Sequence, residues 1–266
     1  MKKHIVIKGK KINYSDTGQG SPVILVHGYL ETSKIWESFA KRLSEHFRVI
    51  TIDLPGHGDS ELPENADSLE FIASVIRDLI DSLRSGKVIL AGHSLGGYIT
   101  LAFLDLYPEK LNGYCLLHSQ PLPDTPESKE KREKEIKFVS DGKRDSFIPD
   151  SIRKLYAPFN LLPMQEYVKH STEIASNVSS EGIIAVLKAM KARPSRVKVM
   201  EAGNVPGLWI LGRYDNLILC DTVQQKVSVP ANLKVTILEK SGHMGFIEEE
   251  DTSLKVISEF IDGLKN

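Results

Sequence analysis

Six short apolar strings constrain this chain of 266 residues more than any other feature. They lie at residues 23–27, 48–53, 87–91, 113–117, 207–211 and 233–238. They are near-continuous apolar runs bounded by Gly and Asp, as in strands covered on both faces of a parallel sheet. Helical patterns stand between them, at 35–46, 69–83, 95–106, 222–227 and 251–264. In the second of these, Leu69, Ile72, Ala73, Ile76, Leu79, Ile80 and Leu83 recur at spacings of three and four, one buried stripe on an amphipathic helix. This alternation predicts an α/β fold, with a mostly parallel sheet flanked by helices. Residues 4–8 and 11–15, divided by Gly9-Lys10, predict an antiparallel hairpin at the sheet edge.

The rhythm breaks once. From Ser119 to about Gly203 there is no good strand, only helical patterns punctuated by Pro121, Pro123, Pro126, Pro149, Pro158, Pro163 and Pro194. So long a stretch is not a structureless loop in a compact domain, and it is expected to be a helical insertion between two strands. The resulting division is a core of residues 1–118 and 203–266 with a helical cap at 119–202. Near its start, Glu127 with Lys131, Glu130 with Lys134 and Glu133 with Lys137 are Glu-before-Lys pairs four apart. Such pairs support an exposed helix. Their alternating signs read as a solvated face.

Composition removes several classes of function. Lys plus Arg total 34 and Asp plus Glu 35, a formal net charge of −1, so no electrostatic footprint for nucleic acid or anionic membrane is present. Two cysteines cannot build a four-cysteine zinc site or a disulfide framework, and Cys115, inside an apolar run, is expected to be a buried free thiol. No apolar run reaches transmembrane length. The basic start at Met1-Lys2-Lys3 is followed by an apolar stretch too short for a signal peptide, so a cytoplasmic location is expected. There is no H-E-x-x-H, no P-loop and no G-x-G-x-x-G after a strand, and Gly18-Gln19-Gly20 reads as a turn. No metal and no cofactor are expected. The partner is a small-molecule substrate.

Residues 87–97 carry the chemistry. A strand runs into Gly92-His93-Ser94-Leu95-Gly96 and then into a helix, the setting a G-x-S-x-G nucleophile elbow requires. Gly92 and Gly96 let strand and helix approach closely at a strained turn, and the Leu95 N–H lies at the helix start, where backbone donors are free to bind an anion. A serine needs a base. Of eight histidines, His243 is the candidate, in a loop between the string ending at Leu238 and the last helix. His93 is expected to point into packing; His27 and His118 end strands and are either structural or site-lining, His57 sits in a turn at the same edge, and His4, His46 and His170 look like surface or edge residues.

The acid that orients the base is expected at Asp215, just past the string ending at Leu211, giving the chain order Ser, acid, His. Asp53 is read as organising the turn at 54–58, with Asp124 and Asp221 as reserves. Tyr29, after Val26-His27-Gly28, is expected to supply the second oxyanion N–H beside that of Leu95.

With Asp53-Leu54-Pro55-Gly56-His57-Gly58-Asp59-Ser60, Gly212-Arg213-Tyr214-Asp215 and Ser241-Gly242-His243, these motifs make the chain similar to capped serine hydrolases of the α/β-hydrolase fold superfamily. The resemblance covers about residues 4–118 and 203–264. It implies an eight-stranded sheet and an insertion acting as a lid. It also implies Ser94 as nucleophile, His243 as base, Asp215 as acid, and Tyr29 and Leu95 as oxyanion donors. Dehalogenases and epoxide hydrolases of the family carry aspartate at the elbow, and Ser94 argues against both. Asn216 departs from the proline that often follows the acid.

The expected activity is hydrolysis of a small carboxylic ester or related acyl compound through an acyl-enzyme. Two alternatives use the same residues. One is C–C cleavage or elimination on an acidic substrate, favoured if Arg153, Lys154, Arg193 or Arg196 faces the pocket. The other is a ligand receptor with negligible turnover. Phe138, Phe147, Tyr156, Phe159, Met164 and Tyr167 suggest an apolar underside to the cap.

Overall fold

The computed structural model describes residues 2–265. Its strands are β1 (Lys2–Ile7), β2 (Lys10–Thr17), β3 (Pro22–Val26), β4 (Arg48–Ile52), β5 (Val88–His93), β6 (Leu111–Leu117), β7 (Gly207–Gly212) and β8 (Leu233–Leu238). They form one eight-stranded sheet in the order β1-β2-β4-β3-β5-β6-β7-β8. The first two pairings, β1 with β2 and β2 with β4, are antiparallel, and all the others are parallel. The edge hairpin turns through Lys8 at φ 50° and Gly9 at φ 75°. Two left-handed central residues match the twist of the strands they join.

The core helices are α1 (Glu37–Leu43), α2 (Leu69–Ser82) and α3 (Leu95–Leu106). The stretch between β6 and β7 holds α4 (Pro126–Ser140), α5 (Ile148–Arg153), α6 (Gln165–Ser176), α7 (Ser180–Ala192) and α8 (Val197–Glu201). After β7 come α9 (Cys220–Gln224), α10 (Gly245–Glu248) and α11 (Glu250–Gly263). Packing of α2 on α3 and of α1 on α11 covers the sheet, and every residue of β5 and β7 is buried. That is why those strings carry no polar alternation. Cys115, in β6, is a buried free thiol. No helix among the described residues is long and apolar enough to cross a membrane.

Three local expectations change. The pattern at 35–46 resolves into a 3₁₀ turn, Ser33–Trp36, and the shorter α1, because Thr32 caps the chain earlier by accepting from the Lys34 N–H. The helix expected at 222–227 begins at Cys220 and ends at Gln224. The Glu–Lys run does form a helix, α4, capped by Thr125, but its face is not wholly solvated. Glu130 pairs with Lys134, whereas Glu133 reaches Lys191 on α7. Packing of α4 along α7 half-buries Arg132 and Glu135, a tertiary contact that local charge spacing does not encode.

Candidate active site

The elbow is a strained turn between β5 and α3. Ser94 has φ 50° and ψ −111°, a conformation that costs a non-glycine residue about 1–3 kcal/mol and persists only where its surroundings enforce it. Here the enforcement is close backbone packing. A Cβ at Gly92 would lie 2.2 Å from the Gly96 carbonyl oxygen, and one at Gly96 would lie 2.3 Å from that of Val26. The Ser94 N–H donates to the Leu117 carbonyl at 2.9 Å, and Ser119 Oγ donates to the Ser94 carbonyl at 2.8 Å. Leu95 opens α3, so its N–H has no acceptor within the helix.

The base candidate and the acid candidate meet. His243 Nδ1 lies 2.7 Å from Asp215 Oδ2, and both residues are buried. Asp215 Oδ1 accepts from the Leu217 and Ile218 N–H groups at 2.8 and 2.9 Å. Burial works against the Asp215 charge, yet His243 and His118 facing it hold the carboxyl well below the usual carboxylate range. An ionised Asp215 only accepts, so His243 carries its proton on Nδ1. Its Nε2 is then a lone pair, with no hydrogen-bond partner, and His243 lines the same cavity as Ser94.

Three further histidines make defined contacts in this geometry. His118, at φ 49° and fully buried, accepts the Gly245 N–H on Nε2 at 3.1 Å. Its Nδ1 therefore bears the proton and lies 3.5 Å from Asp215 Oδ2, close enough for a favourable electrostatic contact but without hydrogen-bond geometry. Burial lowers its pKa to about 4, so the ring is neutral. His27 Nε2 accepts from the Leu54 N–H at 3.0 Å, while Nδ1 donates to the Gly28 carbonyl at 2.9 Å, fixing the loop that carries Tyr29. His93 does not simply point into packing. Its ring lies 3.0 Å from the Glu31 carboxylate and 2.8 Å from the His243 carbonyl oxygen.

Asp53 organises the turn expected of it, accepting from the Ser33 and Asp59 N–H groups and from Asn13 Nδ2. Glu248 was not legible as a site residue. Its carboxylate accepts from the Gly242 and Met244 N–H groups on one side and from the Ala157 N–H and Asn160 Nδ2 on the other. It fastens the His243 loop to the helical insertion, and the His243 N–H itself donates to the Leu155 carbonyl at 2.6 Å.

Ser94, Tyr29 and His243 border a cavity of about 300 Å³, whose far wall comes from the insertion. That wall is mixed: Ile152, Leu155 and Met190 of the insertion border the cavity, but not the residues expected to. Phe138, Phe159 and Tyr167 are exposed, Tyr156 is buried in the core, and none of the six named residues borders the cavity. Charged groups stand beside the apolar ones. Arg132 and Arg193 share the buried Asp124 carboxylate, and Arg193 also stacks over the Tyr98 ring at 4.0 Å. Tyr29 donates its hydroxyl to Glu135 at 2.8 Å. Lys131 and Lys154 border the cavity, whereas Arg153 does not and Arg196 is bound to Glu70. Helix α4 thus delivers Arg132 and Glu135 inward, which its alternating charges concealed.

His118, Asp215 and His243 are the group among the described residues whose atoms could together hold a metal, their ligand atoms lying within 4.8 Å of one another. The hydrogen bonds account for that closeness. His118 Nε2 is occupied by the Gly245 N–H, so Nδ1 bears the proton and presents no lone pair.

The sequence model of the alpha/beta hydrolase fold family matches residues 21–158. The chain belongs to that family, and relatives bearing esterase names place it among hydrolytic enzymes. A putative 2-succinyl-6-hydroxy-2,4-cyclohexadiene-1-carboxylate synthase of Bacillus subtilis is 25% identical over 97% of both chains. A pimeloyl-[acyl-carrier protein] methyl ester esterase of Legionella pneumophila is 24% identical, covering 94% of this chain and 99% of that one. A malate-bound esterase of Thermogutta terrifontis superposes over the whole of both chains with a TM-score of 0.94 at 25% identity.

Proposed function

We propose that the protein is a serine hydrolase that cleaves a small carboxylic ester or related acyl compound through an acyl-enzyme on Ser94. The observation that carries this reading is the His243 ring, held by Asp215 through Nδ1 with Nε2 unpartnered, in a residue that borders the cavity of Ser94. As Ser94 Oγ attacks the acyl carbon, His243 Nε2 takes the hydroxyl proton. The Tyr29 and Leu95 N–H groups receive the negative charge that develops on the acyl oxygen, each such donor being worth about 3–4 kcal/mol. Collapse of the adduct expels the alcohol, which takes the proton from Nε2. Water, deprotonated by the same nitrogen, then releases the acid. The helices between residues 119 and 202 act as the lid that shields these steps from bulk water.

Fluorophosphonate labelling with mass-spectrometric mapping tests the reading without the natural substrate. Labelling at Ser94 that vanishes in His243→Ala is expected. A wild-type protein that does not label refutes an activated serine and favours a ligand receptor.

One observation favours an acidic substrate, for hydrolysis or for C–C cleavage or elimination with the same residues. The lining of the cavity that Ser94 borders carries Arg132, Arg193, Lys131 and Lys154 against Asp124 and Glu135, an excess of positive charge. An acyl ester bearing a second, free carboxylate is therefore expected to be turned over at higher kcat/KM than its uncharged analogue, with the advantage shrinking as salt is added. Equal values at low salt would remove the acidic-substrate reading. Product analysis in oxygen-labelled water separates hydrolysis from elimination.

A further inference from the structure

We propose that Glu31 and His93 form a buried positioning pair, with His93 held as the imidazolium, that ties the oxyanion loop and the base loop to the nucleophile elbow. Both side chains are almost completely buried, and His93 is the last residue of β5, next to Ser94. His93 Nε2 lies 2.8 Å from the backbone carbonyl oxygen of His243. A carbonyl only accepts, so this nitrogen bears a proton. His93 Nδ1 lies 3.0 Å from both oxygens of the Glu31 carboxylate. Glu31 Oε2 also accepts the Gly28 N–H at 2.6 Å, which favours the ionised carboxylate and puts a second proton on the ring.

The two residues thereby connect loops that are far apart in sequence. Gly28 precedes Tyr29, the proposed oxyanion donor, and the His243 loop follows β8; a single carboxylate and a single ring hold both against Ser94. Gly28 permits the approach, since a Cβ there would lie 2.9 Å from His93 Nδ1. The groups facing His93 are Glu31, the His243 ring at 5.0 Å, the His118 ring at 6.1 Å, and the apolar rings of Phe246 at 4.9 Å and Trp36 at 6.3 Å. Asp215 adds negative charge from behind His243, and His27 lies on the Glu31 side. Burial disfavours charge on both partners, yet their mutual attraction raises the His93 pKa and lowers that of Glu31. Once His93 loses its proton, one of its nitrogens becomes an acceptor facing an acceptor, and one loop is released.

The kinetic consequence rests on the serine-hydrolase reading; the protonation state does not. In full-length protein labelled with ¹⁵N-histidine, the His93 ring, identified by its loss in His93→Asn, is expected to still carry protons on both nitrogens as pH rises past the ordinary histidine value. Glu31→Gln is expected to abolish that doubly protonated signal. A wild-type ring protonated on one nitrogen only would mean a neutral Glu–His pair and overturns the proposal.

With p-nitrophenyl acetate, kcat per fluorophosphonate-titrated site in Glu31→Gln is expected to fall about 10- to 100-fold with little change in KM, the size of a small misplacement of reacting groups. The alkaline limb of its pH–rate profile is expected to move to lower pH. A pair that merely stabilises the fold would lower the melting temperature and leave the titrated-site kcat and the profile unchanged, and that result also overturns the proposal. If the wild-type protein does not label, the hydrolase reading fails and the histidine spectrum alone decides.

Discussion

At Ser94, backbone strain and side-chain chemistry meet in one residue. A φ of 50° aims the side chain out of the turn between β5 and α3, and the tight approach of Gly92 to Gly96 holds it there. Ser94→Ala keeps that backbone and removes only the hydroxyl. Its kcat is expected to fall by at least about 10⁴ with an unchanged circular dichroism spectrum. An ester turned over equally well by this variant would sink the mechanism. Asp215→Asn acts through the tautomer: an amide NH₂ facing Nδ1 drives the His243 proton to Nε2, where it blocks acceptance from Ser94. A loss of about 10⁴ in kcat with native stability is expected from steady-state kinetics and thermal melts. Ser94, His243 and Asp215 were legible as candidates because each follows a strand string in the right order. Glu31 and Glu248 were not, and for His118 the choice between a structural and a site-lining role stayed open. They act through partners 62, 88 and 97 residues away in sequence (His93, Asn160 and Asp215), and no local spacing reports such contacts.

Among the elements, glycine separates packing from conformation. In α7, a Cβ at Gly182 would sit 2.1 Å from the Gly56 carbonyl oxygen, where the helical insertion presses on the turn after β4. Ser179, which caps this helix, also donates to that carbonyl at 2.8 Å. Gly182→Ala must push the two backbones apart and is expected to cost about 1–3 kcal/mol, read from urea midpoints. A Cβ added at Gly263, at the end of α11, would meet nothing within 4 Å, so Gly263→Ala is expected to leave the midpoint unchanged or slightly raised. Equal losses in both variants would count against the contact. The helical character of α7 was legible from its sequence pattern, but the reason for glycine at 182 was not, because it belongs to the partner loop.

The molecule as a whole buries several ionisable groups, and they set a pH window for stability. Burial lowers His57 to about 3 and His118 to about 4, and it lowers His27 as well. In the unfolded chain these rings take up protons below about pH 6.5, whereas the folded protein refuses them until the lower values are reached. Stability therefore falls as pH drops from about 6.5, by up to about 1.4 kcal/mol per pH unit for each uncompensated proton. Glu31 and Asp215, with depressed values, add their own losses below the ordinary carboxylate range. His93 works in the opposite sense: its contribution is complete below the ordinary histidine value and disappears as pH rises through its raised one. Urea midpoints are expected to fall between about pH 7 and pH 5, with a shallower slope in His57→Gln. A flat profile in the wild type would mean that these rings are charged in the fold.

The sequence by itself determined most of the elements and which candidate residues stand at strand ends. Hydrophobic period, glycine placement and the order Ser94, Asp215, His243 are properties of short stretches and of chain order, and both are written locally. Tertiary structure decided the rest. It turned Arg132 and Glu135 inward from a helix that reads as solvated, and it left Phe138, Phe159 and Tyr167 outside the cavity. It also joined Glu31, His93 and the His243 carbonyl into one buried set. The physical reason is desolvation. Whether a charge is solvated, paired or aimed at a substrate depends on what covers it, and the covering groups come from distant parts of the chain.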